Sequence, residues 1–311
     1  MSFSVYLPIS ASSLNLFLLL SLGGMVGFVS GLFGVGGGFL LTPMLIMIGI
    51  PPTVAAASDS NQIVAASASG MYAHYQLGNV DFRMGILLLL GGLAGGGLGV
   101  HLVKILRASG NADFVIRIAY VAMLGTIGIY MFVESLHGLR EPRKYRETAA
   151  SRPKGPSWYA RTLVYLPLQM HFDKSGVNVS LLVPLFLGGL VGVLSAIMGV
   201  GGGFIMVPIM VYLLRMPMHV VIGTSLFQIF FTCVEVTIMQ AQINHTVDFI
   251  LALILLVGST CGAQLGVRMG RKLKGERLRN LLAIMIIAVM LQMLYGLLFS
   301  PSLLLSYKGG H

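Results

Sequence analysis

Ser58 and Gln62 lie four positions apart, and Thr224 and Gln228 repeat that spacing. On a helix four residues make about one turn, so each hydroxyl would share a face with its amide. Such groups donate hydrogen bonds without carrying charge. They can hold an oxyanion more loosely than a buried arginine would, and a transported ion must leave again. Asp59, Ser60 and Asn61 accompany the first pair, and Ser225 accompanies the second. Polar groups in apolar helices tend to face a cavity or the bundle interior. Hydrogen bonding between helices is their other use.

A second chemical feature is glycine. GVGGGF occurs at Gly34–Phe39 and again at Gly199–Phe204, with a proline four residues on at Pro43 and Pro208. Glycine permits left-handed backbone and leaves amides uncovered. A helix that starts after such a knot carries N–H groups without intrahelical partners and a partial positive charge, which suits an anion. Gly36, Gly37, Gly38 and Phe39, with Gly201, Gly202, Gly203 and Phe204, are therefore candidate binding residues. No Lys-Ser or Lys-Thr follows the glycines, so the motif is not a phosphate loop. The glycines at 91, 95, 99 and at 258, 262, 266 are spaced four apart, which reads as close helix packing.

Asp59 has no acidic counterpart, because Ser225 matches it. It is the candidate for a coupling proton. The alternative is a structural pairing with a backbone group or with His74. Glu235, further along the matching helix, is a weaker candidate. Asp81 and Asp248 precede apolar segments and are expected to cap helices. His101, His219 and His245 fall near segment ends and read as solvated. No Ser-His-Asp, Cys-His or metal-ligand spacing is apparent. Cys233 and Cys261 both sit in apolar segments, so neither a disulfide nor a redox role is expected. Neither catalytic residues, nor a metal, nor a cofactor is assigned.

The elements that must carry these residues follow from composition. Of 311 residues, 56% are hydrophobic and 10% are charged, against roughly 25% charged in soluble domains. Apolar runs long enough to cross a bilayer recur at Leu14–Phe33, Met84–Val103, Phe114–Val133, Val179–Met198, Phe249–Val267 and Leu281–Phe299. The fold class is an all-α polytopic membrane protein; a β-barrel would show short alternating segments instead. Met1–Asn15 lacks Lys and Arg and does not read as a secretory signal peptide.

The duplication reaches beyond the glycines. Pro52 matches Pro217, VAAASDSNQIV at 54–64 parallels VVIGTSLFQIF at 220–230, and VDF recurs at 80–82 and 247–249. The expected organisation is a membrane repeat at 14–134, a basic insert at 135–177 and a second repeat at 178–300. Each repeat has about five helical segments, broken at its GVGGGF. Lys and Arg collect in cytoplasmic loops. With an odd number of crossings per repeat, sixteen of the twenty Lys and Arg fall on the side of the insert. With an even number they divide equally. The odd count makes the repeats inverted, the insert cytoplasmic and both termini external. Leu14–Ile50 either crosses twice or returns as a hairpin, with the parity unchanged. Gly37–Ile50 has 14 residues, about 21 Å of helix, against a core of roughly 30 Å. A helix beginning inside the membrane is the natural reading. In the insert, REPRKYRETAASRPKGPSW is basic and suits anionic headgroups, while YARTLVYLPLQMHF could form a strand pair.

The paired GVGGGF-then-Pro motifs, the VIGTSLFQIFF stretch and the duplicated halves resemble the TauE/SafE family of membrane permeases, from about Leu14 to Phe299. GVLSAIMGVGGGFIMVPIMVYLLRMP is an especially close fit. The resemblance implies an anion transporter without an enzymatic step, often coupled to ion gradients. Export of sulfite or of organosulfonates such as sulfoacetate is associated with the family. The first half departs from symmetry, with SDSNQ where the second has TSLFQ. The expected function is a secondary transporter exporting a small sulfur oxyanion across the inner membrane. An uptake permease or channel for another small anion, such as a carboxylate, is the alternative. Expected partners are the anion, membrane lipids, a coupling proton and a second copy of the chain as a homodimer, but no nucleic acid.

Overall fold

The computed structural model describes residues 4–10, 12–33, 37–140, 168–214, 216–270 and 275–299. The chain is mostly helical. Strands β1 (Ser4–Leu7) and β2 (Ser12–Asn15) precede α1 (Leu16–Phe33), α2 (Gly38–Met47), α3 (Pro52–Gln76), α4 (Phe82–Ala108) and α5 (Ala112–Arg140). Then come β3 (Gln169–Phe172), β4 (Val177–Ser180), α6 (Leu182–Met198), α7 (Gly203–Pro208), α8 (Met218–Met239), α9 (Phe249–Gly270) and α10 (Gly275–Phe299). The helices α7 and α8 each run on into a wider π turn, at Ile209–Leu213 and Gln240–Asn244. The elements form two compact units. One holds β1 through the body of α4 and β3 through α9, and the other holds α5 and α10.

Among the described residues, three helical stretches are long and apolar enough to cross a membrane: Phe82–Ala108, Val220–Asn244 and Phe249–Gly266. Shorter apolar stretches lie at Leu16–Ser30, Gly38–Met47, Leu182–Met198 and Ile284–Gly296. Wholly apolar helices have no amphipathic stripe to set their pairing. In the larger unit, glycine sets it. A Cβ added at Gly23 would stand 2.8 Å from the Leu255 carbonyl oxygen, and one at Gly258 would stand 2.5 Å from that of Leu20. Gly27 and Gly262 likewise abut the backbones of Ser259 and Gly24. α1 and α9 therefore meet backbone to backbone. α4 and α6 meet in the same way, with Gly91, Gly95 and Gly99 against Leu185, Gly189 and Val193. The four-residue glycine spacing is a packing device here, as its pattern suggested.

Helices α3 and α8 pack together between these pairs. Ile63, Ile229 and Cys233 form a buried cluster at their contact. The smaller unit is a helix pair, in which Gly125 faces Met290 and Gly128 faces Ile286 and Ile287.

The all-α expectation needs one correction. Among the described residues two antiparallel hairpins are present, pairing Ser4 with Asn15 and Gln169 with Ser180 at their ends. Leu14 and Val179 consequently belong to strands, and α1 and α6 begin later than the apolar runs. Four-residue strands offer too few alternations to stand out from an apolar run. Each hairpin is instead held by its turn, which docks on an aspartate far away in sequence. The Ile9 amide donates to Asp248 Oδ2 at 3.1 Å, and the Ser175 amide donates to Asp81 Oδ2 at 3.2 Å. Of the stretch anticipated as a strand pair, only its LQMHF end is described, and QMHF pairs with Val177–Ser180. Residues 141–167, most of the basic insert, lie outside the described residues.

Candidate functional site

The first glycine knot is described from Gly37 onward; Gly36 lies outside the described residues. Gly37 has φ +75° and caps the start of α2, and Gly202 has φ +77° and caps α7. Gly199 and Gly201 are also left-handed, at +73° and +70°. Only glycine takes this conformation without penalty, which is why both helix starts carry it. The first backbone bonds of α2 run from Leu40 and Leu41 to the Gly37 carbonyl, and those of α7 run from Ile205 and Met206 to the Gly202 carbonyl. The amides of Gly38, Phe39, Gly203 and Phe204 precede those bonds and have no intrahelical acceptor.

The two knots meet. The rings of Phe39 and Phe204 are stacked, with centroids 4.8 Å apart and planes 14° from parallel. A Cβ on Gly38 would come within 2.9 Å of Val200 Cα in the other knot and 3.1 Å of Asp59 Oδ2. A Cβ on Gly201 would meet Cys233 and Ile63 at 2.9 Å and Ile229 at 3.1 Å. Glycine is thus required twice over, by backbone angle and by the space that α3 and α8 leave.

The candidate polar residues divide by what they touch. Asp59 is fully buried, and Thr42 Oγ1 donates to its Oδ2 at 2.7 Å while Oδ1 has no partner. The anticipated pairing with His74 does not form. Both residues lie on α3, fifteen positions apart, which is about 22 Å along the axis. Gln62 is fully buried, with neither amide atom hydrogen-bonded. Gln228 is equally buried. Its Nε2 donates to Thr232 Oγ1 at 3.4 Å, and its Oε1 is unpartnered. Buried amide atoms without partners are uncommon, and two glutamines at matching positions carry them here.

The two hydroxyls expected beside them serve another contact. Ser58 Oγ accepts from the Asp248 amide at 3.3 Å, and Thr224 Oγ1 accepts from the Asp81 amide at 3.0 Å. Asp81 and Asp248 in turn cap α4 and α9, accepting from the Met84 and Leu251 amides at 3.2 Å. Ser225 and Ser60 bond back to their own helices, at Ile222 O and Ala56 O, a local habit of serine in helices. Asn61 is half-buried.

Several polar residues escaped the sequence pattern. Thr42 is a lone polar residue in an apolar stretch, and nothing local pointed it at Asp59. Gln240, Asn244 and Thr246 are buried where α8 widens into its π turn. Gln240 Nε2 holds the Ala196 carbonyl at 3.1 Å, one turn before the second knot, and Asn244 Nδ2 holds both Gln240 Oε1 at 2.7 Å and the Val100 carbonyl at 3.3 Å. Among the described residues no cluster of His, Cys, Asp and Glu could hold a metal ion. The region offers neutral donors, one buried carboxyl and two helix starts whose first amides lack intrahelical acceptors.

Comparison with known proteins places this geometry in a family. Over 297 residues the chain is 26% identical to the probable membrane transporter protein YunE of Bacillus subtilis, covering 91% of this chain and 98% of the relative. It is 26% identical over 277 residues to a probable membrane transporter protein of Xylella fastidiosa, covering 88% and 92%. A shorter match, 28% over 95 residues, covers 30% of this chain and 20% of Sulfite exporter TauE/SafE family protein 3 of Arabidopsis thaliana. No solved structure matches. The family model described as sulfite exporter TauE/SafE matches residues 19–293. Its span takes in both knots, Asp59 and both buried amides, and the chain is a multi-pass membrane transporter belonging to the TauE/SafE family.

Proposed function

We propose that this protein is a secondary transporter that exports a small sulfur oxyanion, sulfite or an organosulfonate, across the inner membrane. The two glycine-capped helix starts form the anion cradle, and Gln62 and Gln228 supply neutral donors beside it. The observation that carries this reading is the meeting of the knots at the Phe39–Phe204 stack, beside two fully buried glutamines with unpartnered atoms. Helix starts and neutral amides favour an anion without gripping it. Export of an anion from a negative interior is favoured by about 2.3 kcal/mol per charge per 100 mV, so no nucleotide is required.

The two repeats are inverted, and Asp59 carries the coupling proton. The matched order of hairpin, broken helix pair and three further helices supports the repeat. The charge bias supports a cytoplasmic insert and external termini. The remaining partner is a second copy of the chain, as a homodimer.

The test is flux of radiolabelled sulfite in proteoliposomes, with and without an imposed pH gradient. Saturable flux that follows the gradient is expected. Flux no faster than in protein-free liposomes, for sulfite and sulfoacetate alike, would overturn the reading.

A further inference from the structure

Glu235 is the single carboxylate of α8, and it lies against the glycine face of α4. A Cβ on Gly96 would stand 2.9 Å from Glu235 Oε2, and one on Gly97 would stand 3.7 Å from Oε1. Oε2 is shielded from solvent yet has no hydrogen-bond partner. Gly96 is the fifteenth of the 27 residues of α4. A helix of that length, about 40 Å, exceeds the bilayer core of roughly 30 Å, so its middle falls well inside the membrane. A carboxylate there is expensive unless it serves a function.

The same face of α8 continues toward the knots. Thr232 lies three residues before Glu235, and Gln228 four before that. A Cβ on Gly92 would stand 2.8 Å from Thr232 Oγ1 and 2.9 Å from Gln228 Nε2. The fully buried Gln228, with Oε1 unpartnered, therefore opens on the same groove. Glycines at 92, 96 and 97 make room for a file of three polar side chains. The corresponding residues of the first half are Gln62, Ala66 and Ser69, so the file belongs to the second half alone.

We propose that Glu235 binds and releases a proton inside the membrane, with Thr232 and Gln228 linking it to the space around the knots. A metal cation would need a shell of several oxygen ligands. The neighbours here are Gly96, Gly97, Val236 and Met239, and Thr232 adds one hydroxyl. Titratable groups on the packed elements are few. α4 brings His101, whose Nδ1 lies 2.9 Å from the Gly97 carbonyl, Lys104 one turn beyond, and Arg83 and Arg107 at its two ends. α3 carries Asp59 and, at its far end, Tyr72, His74 and Tyr75; α8 carries Cys233 and, in its first turn, His219; α6 carries none. Among the described residues none makes an ion pair with Glu235. Coupling of this proton to substrate rests on the transport reading above, whereas the binding itself does not.

Full-length protein in liposomes is titrated from acid to alkaline pH under infrared spectroscopy. In parallel it is treated with dicyclohexylcarbodiimide, which attacks protonated carboxyl groups in apolar surroundings. The expected result is a carboxylic-acid carbonyl signal that is lost on raising the pH, with one component kept in Asp59→Asn and missing in Glu235→Gln. The carbodiimide adduct should map to Glu235 by mass spectrometry and diminish at alkaline pH. Should Glu235→Gln fail to fold, the adduct map of the unaltered chain decides alone. A band unchanged in Glu235→Gln, an adduct absent from Glu235, or labelling suppressed by sodium against choline at fixed pH would overturn the proposal. A labelled Glu235 together with absent sulfite flux would keep the proton site and remove the substrate reading.

Discussion

Phe39 lies flat on Phe204, 4.8 Å between ring centroids, although 165 positions separate them in the chain. Each ring is on the second residue of a helix capped by a left-handed glycine. The contact therefore ties together two helix starts whose free amides would otherwise face apolar surroundings. Stacked pairs contribute about 0.5–1.5 kcal/mol beyond their buried area. A double-mutant cycle of Phe39→Ala and Phe204→Ala, read by thermal unfolding in detergent, should return a coupling in that range. Strict additivity would mean that the knots do not cooperate.

The glycines at the knots should tolerate substitution less well than other left-handed glycines. Gly49 has φ +96° and open space around it, whereas a Cβ on Gly202 would run into Val191. Gly49→Ala carries backbone strain alone, about 1–2 kcal/mol. Gly202→Ala adds overpacking of about 1–3 kcal/mol. The expected outcome is a larger fall in Tm for Gly202→Ala, with loss of sulfite binding by calorimetry. Equal Tm values and retained binding would make the knot a passive packing motif.

Each hairpin should be released by its own aspartate. Asp81 holds the Ser175 turn and caps α4, while Asp248 holds the Ile9 turn and caps α9. Loss of a cap alone costs about 1 kcal/mol. In hydrogen-exchange mass spectrometry, Asp81→Ala should speed exchange across 169–180 and leave 4–15 unchanged. Asp248→Ala should do the reverse. Coincident changes in both hairpins would signal global loosening instead.

Asp59 should report on coupling. An ionised carboxylate repels an oxyanion nearby, and protonation turns it into a donor. Asparagine keeps the shape and the acceptor that Thr42 uses, without the charge. Asp59→Asn is expected to retain sulfite binding while its pH dependence flattens, after correction for the titration of sulfite itself. An unaltered profile would assign Asp59 to the Thr42 contact alone.

Orientation is open to direct labelling. Tyr6, in strand β1 of the first hairpin, is 61% exposed, and Asp173, in the turn of the second, has a side chain 72% exposed. With inverted repeats, Tyr6→Cys should react with an impermeant maleimide only from outside. Asp173→Cys should react only from the cytoplasmic side. Labelling of both from one side would end the inverted arrangement.

The sequence by itself determined that the chain enters a membrane, because a 56% hydrophobic and 10% charged composition leaves no polar surface to solvate. It also determined where helices break and where they pack closely. GVGGGF needs left-handed backbone, and glycines four apart leave one helix face bare; both are local properties. The caps at Asp81 and Asp248 were legible for the same reason. Tertiary structure decided the partners. Ser58 and Thr224 read as ligands, yet their hydroxyls accept the Asp248 and Asp81 amides, residues 190 and 143 positions away. Thr42 gave no local sign that it would reach Asp59. The first hairpin was invisible and the second was anticipated only in its QMHF strand, because four-residue strands hold together only when something distant receives their turns. Hydrogen bonds inside an apolar bundle go to whichever group the fold brings within about 3 Å, and proximity across the chain is not written in spacing along it.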